Sequence, residues 1–455
     1  MKVFKKPYIP LVAAILCIAF AKAQTETNTS TLLPTLALEE AIGLTLENNY
    51  SINIEKKRSK IAEEQFSIGN AGLLPTINLI GNGSYANNNT ELTIRTFQEP
   101  PAPAIQSFDD SGVATTTLQG VVQADYTVFA GFRGRYQFKV LESQNRISKL
   151  QEEATINQTI LEVSTLFLEI AKLQRRQELL EKSIAITRDR VRRIEHQKEF
   201  GKATGLDVLN VESNLNRDLT QLDQILLAQN NLKRDLNFLI GSEPERQYRV
   251  SVIYETKELP EATVIQERIV SGNPQLLLAH EGIQIGDYQI ELAKSRLYPQ
   301  LDVFANYGAF YQENDLQQLA EITNIGYTAG ATLRFNIFDG SRIRTAIRTA
   351  ELEKETTIAQ QEQLENRLIT DAFTEINRIR ILEAQLSREL ENLVLFQEAF
   401  TRTESRFKNG KATNLDLRDA QTALLNAEIT IAELQADLMN AYIVINTITG
   451  LTLNK

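Results

Sequence analysis

The chain repeats itself, and this internal duplication constrains its fold more than any other feature of the sequence. Residues 129–133, Phe-Ala-Gly-Phe-Arg, return 209 positions later as Phe-Asp-Gly-Ser-Arg at 338–342. Residues 201–207, Gly-Lys-Ala-Thr-Gly-Leu-Asp, return at the same distance as Gly-Lys-Ala-Thr-Asn-Leu-Asp at 410–416. Solenoid repeats are much shorter, about 20–50 residues. The duplication therefore predicts two structurally equivalent halves.

The beginning of the chain has the features of a secretory signal peptide over residues 1–23. Three lysines precede an apolar run at 8–20, and Ala21-Lys22-Ala23 fits the small-x-small rule for cleavage. The single cysteine, Cys17, lies in that run, so we expect the mature protein to contain no disulfide. The duplication then divides the chain into a first repeat at 24–241, a linker at 242–261 and a second repeat at 262–455.

A helical pattern opens each half, at about 38–71 in the first and 262–297 in the second. Pro75 and Pro299 end these patterns, because proline cannot continue the hydrogen-bond ladder of a helix. We therefore predict one continuous helix at the start of each half.

A longer helical pattern follows the Phe-x-Gly motif in each half and reaches Phe200 in the first copy and Phe407 in the second. Each pattern covers about 68 residues, which would be roughly 100 Å of helix. After the repeated Gly-Lys-Ala segments, apolar residues recur at spacings of three and four, which is the pattern of a coiled-coil seam. Asp218 and Gln229 interrupt the seam of the first copy. These patterns predict two long antiparallel helical hairpins that turn at Gly-Lys-Ala.

Between the helices, four segments alternate apolar and polar residues with a period of two, which predicts strands of about 10–13 residues. These segments lie at 77–85, 118–128, 301–307 and 325–337. A tilted membrane strand needs about 9–11 residues, and the aromatic residues near the strand ends fit the girdles of a membrane barrel. A soluble, half-buried sheet with the aromatic residues in its core explains the same alternation.

Four strands per chain are too few for a membrane barrel. About eight is the smallest number that closes, and lipid does not tolerate open strand edges. Membrane strands in this chain therefore require an oligomer in which several chains each contribute four. The long helices would continue that assembly on one side of the membrane. The loops between paired strands, predicted at about 87–116 and 312–324, would lie on the other side.

The composition argues against enzymatic chemistry, metal binding and nucleic acid binding. The chain has two histidines, one cysteine and no tryptophan, so no His/Cys metal cluster and no nucleophile–base pair can be assembled. Asp and Glu number 58 against 48 Lys and Arg, whereas nucleic acid binding needs clustered basic residues. We expect no cofactor, no metal and no nucleic acid partner, and we expect His196 to lie on a solvated helix face.

Taken together, these features resemble the TolC family of outer membrane efflux proteins over about residues 36–450. The resemblance rests on Leu-Glu-Glu-Ala-Ile at 38–42, Leu-Pro at 74–75, both Phe-x-Gly motifs, both Gly-to-Asp turns and the duplication itself. It implies a mainly α protein with membrane β-strands. The expected assembly is a homotrimer with four strands per chain in a twelve-stranded outer membrane barrel, which a long periplasmic α-helical barrel continues.

The resemblance also implies a function without chemistry. The expected function is the passive exit duct of a tripartite efflux or type I secretion system, located in the outer membrane with a large periplasmic part. Its expected partners are a periplasmic adaptor, an inner membrane pump and outer membrane lipid. A non-channel periplasmic or surface coiled-coil scaffold with soluble strands remains the alternative.

The same resemblance places functional residues at the two hairpin tips. Asp416 and Asp419 match acidic residues that ring the narrow periplasmic entrance, and Asp207 matches a gating residue on the other hairpin. The region that contacts the adaptor matches Gly201, Lys202, Ala203, Gly410, Lys411 and Ala412.

This sequence departs from the family's gate, in which the Asp pairs with a Tyr and an Arg. Phe407 and Ala412 occupy those two positions, so the latch is missing as such, and Lys411 or Arg418 is a candidate to replace it. Capping offers a simpler role for two of the acids. Thr204-x-x-Asp207 and Thr413-x-x-Asp416 are capping-box patterns, whereas Asp419 lies beyond the cap.

Overall fold

The structure is a computed structural model that describes residues 33–96, 104–254, 260–315 and 320–451. The predicted signal peptide lies outside these residues. The order of elements is the same in both halves: two short helices, two long strands, a very long helix and a returning helix. The first half contains β1 (Thr35–Ala37), α1 (Leu38–Asn48), α2 (Tyr50–Gln65), β2 (Thr76–Thr96), β3 (Ala104–Ala130), α3 (Arg133–Glu199) and α4 (Gly205–Leu239). The second contains β4 (Arg249–Ser251), α5 (Ala262–Gly272), α6 (Pro274–Ser295), β5 (Gln300–Asn314), β6 (Glu321–Arg334), α7 (Arg342–Lys408) and α8 (Asn414–Ile448).

The helical hairpins of the two halves have equal dimensions. Helices α3 and α7 each contain 67 residues, which is roughly 100 Å, and α4 and α8 each contain 35. Gly201 and Gly410, with φ of 69° and 68°, stand at the turns between them. The predicted long antiparallel hairpins and their turns are confirmed.

The prediction of one continuous helix at the start of each half is wrong, because a buried asparagine interrupts each of them. The Asn49 carboxamide oxygen accepts from the backbone N–H of Ile52 and caps α2, while its Nδ2 donates to the carbonyl of Leu239 at 2.9 Å. Asn273 caps α6 and donates to the carbonyl of Ile448 at 2.8 Å. Each asparagine therefore ties the start of its half to the end of the returning helix of that half.

The four long strands form one antiparallel sheet in the order β2-β3-β5-β6. They contain 21, 27, 15 and 14 residues, so they are longer than the sequence pattern predicts. Most of the first predicted loop is strand, since β2 and β3 pair from Thr76↔Asp125 to Thr96↔Ala104. An antiparallel ladder is held by backbone hydrogen bonds, so it continues beyond the residues whose side chains alternate.

One face of this sheet is apolar and exposed. Tyr327, Leu79 and Leu333 are 84%, 80% and 70% exposed, and the aromatic residues Phe335 and Phe338 beyond β6 are also exposed. The opposite face carries polar residues, among them Asp302, whose carboxylate accepts from Thr127 Oγ1 at 2.7 Å across β3 and β5. An exposed apolar face of this extent marks a surface that lipid or protein covers.

The core lies in the helical part of the molecule. One cluster of buried residues joins α1, α3, α4 and α8 to the small parallel sheet of β1 and β4, and a second joins α5, α6, α7 and α8. Two polar residues interrupt the apolar seam of α4, and both are buried: Asp218 is 4% exposed and Gln229 is 6% exposed. Within the described ranges, no helix combines the length and the apolar character needed to cross a membrane.

Candidate functional site at the hairpin tips

The two hairpin tips meet around a small apolar cluster with one residue from each of their four helices. Ile194, Val211, Phe407 and Leu417 are buried together, and Ala203 and Ala412 pack against them. Burial of these six side chains fixes the two turns side by side. The tips are therefore one structural unit built from both halves of the chain.

Each turn is closed by a complete capping box. Thr204 and Asp207 exchange hydrogen bonds, with Thr204 N–H to Asp207 Oδ2 at 2.8 Å and Asp207 N–H to Thr204 Oγ1 at 3.2 Å. Thr413 and Asp416 do the same at 2.8 and 3.1 Å. These bonds satisfy backbone donors that the first turn of a helix otherwise leaves free.

The capping bonds also shift the acidity of both aspartates. The side-chain and backbone bonds from Thr204 lower the pKa of Asp207, and those of the Thr413 backbone and side chain lower the pKa of Asp416. Hydrogen bonds to a carboxylate favour its charged form. Both groups therefore carry a full negative charge at neutral pH.

The third acidic candidate, Asp419, differs from the other two. It is exposed one turn further along α8, and no hydrogen bond or ion pair is seen for it among the described residues. Its charge is free to act on whatever occupies the space in front of the tips. Capping gives Asp207 and Asp416 a structural role, whereas Asp419 lies outside both capping boxes.

The six adaptor-contact candidates divide by exposure. Gly201, Lys202, Gly410 and Lys411 are exposed, while Ala203 and Ala412 are half-buried in the tip cluster. Three large apolar residues at the tips, which the sequence analysis does not single out as contacts, are also exposed: Phe200 at 77%, and Leu206 and Leu415 at 67% each. Leu206 and Leu415 occupy equivalent positions within the two capping boxes. Their repetition in both copies could have identified them from the sequence as candidate contact residues.

The positions of the missing latch have other roles in this chain. Phe407 is a buried member of the tip cluster, at 8% exposure, and Ala412 packs beside it. Arg418, one candidate to replace the latch, is held within its own chain by Asp218 at 2.7 and 2.8 Å. Lys411 remains exposed, so of the two candidates it is the one left accessible at the tip.

Behind the tips, a buried polar network crosses between the two hairpins. Gln421 on α8 donates to Ser183 Oγ at 2.8 Å and to Thr187 Oγ1 at 3.3 Å on α3. Arg190, 2% exposed, lies beside the Asp218–Arg418 pair and donates to Thr187 at 3.4 Å. Burial, and to a smaller extent the nearby positive charge of Arg418, lowers the pKa of Arg190 to about 10. The attraction of Asp218 acts in the opposite direction but is smaller. The buried carboxylate of Asp218 thus has two guanidinium groups near it, of which that of Arg418 bonds to it directly.

The two histidines do not form a site. His196 is exposed on α3 with Nδ1 3.3 Å from Glu199 Oε2, on the solvated face that the sequence predicts. His280 is exposed on α6. In the part of the chain that the structure describes, no three His, Cys, Asp or Glu residues are grouped so that they could hold a metal ion.

Comparison with known proteins identifies the class to which this architecture belongs. The sequence model of the family described as outer membrane efflux protein matches residues 41–242 and 266–451, which are most of the two halves. The chain belongs to this family, and the resemblance inferred from the sequence is confirmed. Efflux is transport, so this membership gives no support for an enzymatic function.

Particular relatives extend the comparison. The chain is 25% identical over 342 residues to the pyoverdine export outer membrane protein OpmQ of Pseudomonas aeruginosa, covering 71% of this chain and 69% of OpmQ. It is 20% identical over 433 residues to the proteases secretion protein PrtF of Dickeya chrysanthemi, covering 92% and 89%. In structure it is similar to the outer membrane protein VceC of Vibrio cholerae, with a TM-score of 0.72, 18% identity and coverage of 91% and 96%. The likeness to VceC, at 18% identity, supports the fold alone.

Proposed function

We propose that this protein is the passive exit duct of a tripartite efflux or secretion system, and that it works as a homotrimer in the outer membrane. The observation that carries the proposal is the four-stranded sheet, which has an exposed apolar face and two outer strands, β2 and β6, that each pair on one side only in the described chain. The apolar face does not suit a single chain in water, and the open strand edges do not suit a single chain in lipid.

Oligomerisation would pair the open strand edges and allow the apolar face to form the outer surface of a barrel. If β6 of one chain pairs with β2 of the next, three chains with four strands each form a closed barrel of twelve. The apolar face then meets lipid, and the polar face lines a lumen. The exposed aromatic residues Phe335 and Phe338 at the strand ends would lie at the membrane interface. The helices α3 and α7 extend the duct by roughly 100 Å on one side.

The tips are the proposed periplasmic entrance. In a trimer, three copies of Asp207, Asp416 and Asp419 would converge near the axis, where like charges concentrate cations. The exposed tip residues Phe200, Leu206, Leu415, Lys202 and Lys411 would contact a periplasmic adaptor that leads to an inner membrane pump. The named roles of OpmQ and PrtF, export and secretion, support a duct and leave the substrate open.

The test is the conductance of the detergent-extracted protein in planar bilayers. We expect a small cation-selective conductance in the wild type, and weaker cation selectivity or a larger conductance in the double variant Asp416→Ala plus Asp419→Ala. The matched control is Asp223→Ala, which removes an exposed acid of α4 away from the tip.

Two outcomes would contradict parts of the proposal. Absence of conductance from a folded, trimeric preparation would overturn the duct and favour the scaffold. Conductance and selectivity that the double variant changes no more than the control would retain the duct and reduce both aspartates to helix-capping and surface residues.

A further inference from the structure

A basic cavity lies where the sheet joins the long helices, far from the tips. Its volume is about 330 Å³, and it is formed by the ends of β5 and β6, the end of α6 and the first turns of α3 and α7. Four arginines line it, Arg133, Arg296, Arg334 and Arg342, against one carboxylate, that of Asp339. Such a charge balance stands out in a chain whose acids outnumber its bases by 58 to 48.

The arginine side chains of the cavity form no ion pair within the described chain. Among the described residues, the side chains of Arg133, Arg296 and Arg334 donate no hydrogen bond and form no ion pair, although Arg133 and Arg334 attract Asp302 from a longer distance. The Arg342 side chain donates to the backbone carbonyl of Asp339 at 3.0 Å. The guanidinium groups of Arg133, Arg296 and Arg334 therefore line the cavity with no hydrogen-bond partner among the described residues. A guanidinium presents up to five N–H donors in a planar fork, so the cavity offers many donors and few acceptors.

The nearby acids already have partners. Asp339 Oδ2 accepts from the backbone N–H of Ile343 at 2.8 Å in the first turn of α7. The carboxylate of Asp302, on the same sheet face, accepts from Gln300 Nε2 at 2.8 and 3.0 Å and from Thr127 at 2.7 Å. These bonds hold the two carboxylates in place, and in the described chain neither carboxylate forms an ion pair with an arginine of the cavity.

Both long helices begin at this cavity, and neither has an acidic residue within its first turn, although Asp339 before α7 accepts from the N–H of Ile343. A helix N-terminus carries about half a positive charge, so acidic residues are favoured there. The first turns of the two helices contain arginines of the cavity instead, Arg133 in α3 and Arg342 in α7. The arrangement occurs in both copies of the duplicated Phe-x-Gly motif. Local preferences broken in this way are expected at functional sites.

We propose that this cavity binds oxyanion groups, phosphate above all, of solutes that pass along the duct. Guanidinium groups bind phosphate and carboxylate through paired, charge-assisted hydrogen bonds. Helix N-termini favour the same anions, and the volume falls within the range of about 300–1,000 Å³ that ligand sites occupy. Passage of the solute along the duct rests on the proposed function. Binding of an oxyanion in the cavity does not depend on that function.

The position of the cavity on the sheet favours a solute over a lipid headgroup. Arg334 pairs in register with Gln300, so both lie on the polar face. The neighbouring residues Leu333 and Phe335 point to the other face and are exposed on the apolar side. In the proposed barrel the polar face lines the lumen, and three copies of the cavity surround the junction between the β-barrel and the helices.

The first experiment measures binding of inorganic pyrophosphate to the detergent-extracted protein by isothermal titration calorimetry, with sodium chloride of matched ionic strength as the reference. We expect the wild type to bind, and the variant Arg133→Gln plus Arg334→Gln to bind about tenfold more weakly, as the loss of a charge-assisted hydrogen bond predicts. The control Arg135→Gln plus Arg344→Gln removes the same charge from the same region outside the cavity, and it should bind as the wild type does.

Arg334→Gln alone serves as a second variant if the double variant does not form a folded trimer. Equal binding by wild type, cavity variant and control would overturn the proposal, as would the absence of binding by the wild type. This measurement does not require an open duct, so failure of the proposed function and failure of the cavity are distinguishable.

The second experiment separates the two sources of phosphate. Pyrophosphate added to the aqueous side is expected to reduce conductance equally in bilayers of phosphatidylcholine and in bilayers containing phosphatidylglycerol, and the cavity variant should lose this block. A block that disappears in the anionic bilayer would mean that lipid headgroups occupy the cavity, and would overturn its assignment to solutes.

Discussion

The guanidinium of Arg418 on α8 donates two hydrogen bonds to the carboxylate of Asp218 on α4, at 2.7 and 2.8 Å. The side chains of this pair are 17% and 5% exposed, and the pair joins the hairpins of the two halves behind their tips. Arg190 lies next to the pair without a direct hydrogen bond to the carboxylate. Arg418 is therefore a largely buried cation with two hydrogen bonds to its counterion. Arg190 is a buried cation without such bonds, so its burial costs desolvation free energy.

Arg418→Met is expected to lower the free energy of unfolding by about 3–5 kcal/mol, because it leaves Asp218 buried without its bidentate partner. Arg190→Met is expected to leave stability unchanged or to raise it, because the burial that lowers the pKa of Arg190 to about 10 opposes its charge. Thermal unfolding of the two variants in the same detergent measures the difference.

The contrast between the two variants is the decisive part of that prediction. Equal losses of stability would mean that Arg190 and Arg418 hold Asp218 together, and that the hydrogen-bond geometry does not distinguish them. Arg188→Met, a substitution of the same kind at a neighbouring position of α3, controls for the general effect of removing an arginine from this helix.

Thr204→Ala and Thr413→Ala should each cost about 1 kcal/mol of local stability by removing one side of a capping box. Hydrogen–deuterium exchange of the backbone amides in the first turns of α4 and α8 reports the loss, while amides in the middle of α3 serve as the internal reference. Protection at the tips that is unaltered by both substitutions would show that tertiary contacts alone hold the turns.

The same capping boxes predict a pH dependence. The folded tips bind protons on Asp207 and Asp416 less tightly than the unfolded chain does, because hydrogen bonds from Thr204 and Thr413 lower both pKa values. Stability from these bonds is therefore fully present above about pH 4, the ordinary pKa of Asp, and is lost as pH falls through the lowered values. Exchange at the tips should accelerate in acid in the wild type, and less so in Thr204→Ala plus Thr413→Ala.

Gly450→Ala is expected to destabilise the second half of the chain. Gly450 has φ of +73°, which costs other residues about 1–2 kcal/mol, and an added Cβ would lie 2.1 Å from the carbonyl oxygen of Gly272. Gly43→Ala is the matched control, because Gly43 lies within α1 with open space around it, and alanine is favoured there by about 0.5–1 kcal/mol. Denaturant titration of both variants should give changes of opposite sign.

Lysine substitutions at adjacent residues of β6 test which face of the sheet meets lipid. Tyr327→Lys should destabilise the membrane-inserted protein by up to about 2–4 kcal/mol, because it places a charge on the apolar face. Thr328→Lys places the same charge on the opposite face and should be tolerated. Recovery of folded protein in the outer membrane fraction distinguishes the two, and equal tolerance of both would contradict a lipid-facing Tyr327.

The sequence predicts those parts of the fold that depend on neighbouring residues. The turns at Gly201 and Gly410 need a positive φ, and the capping boxes at Thr204 and Thr413 start the next helices, so the hairpins can be found from short motifs. The extent of the strands could not be found in this way. The ladder between β2 and β3 runs on through residues without an alternating pattern, because backbone groups hold it.

Contacts between distant residues explain the remaining differences. Asn49 and Asn273 stand out in the sequence as a repeated pair, but their breaks in the first helices depend on carbonyl groups 190 and 175 residues away. Asp218 looks like a lapse in an apolar seam until Arg418, 200 residues further on, is placed against it. Such partners cannot be read from spacing within one helix.

The sequence by itself determined the duplication, the long hairpins and the position of the tips, because repetition, glycine turns and capping residues act over a few residues. Only the tertiary structure decided that Arg418 belongs to a buried ion pair, that Phe407 fills the tip cluster and that four arginines converge at the base of the sheet. Those arrangements arise from packing between segments that are far apart in the chain. Local sequence patterns do not distinguish among the possible partners there, whereas burial and charge pairing do.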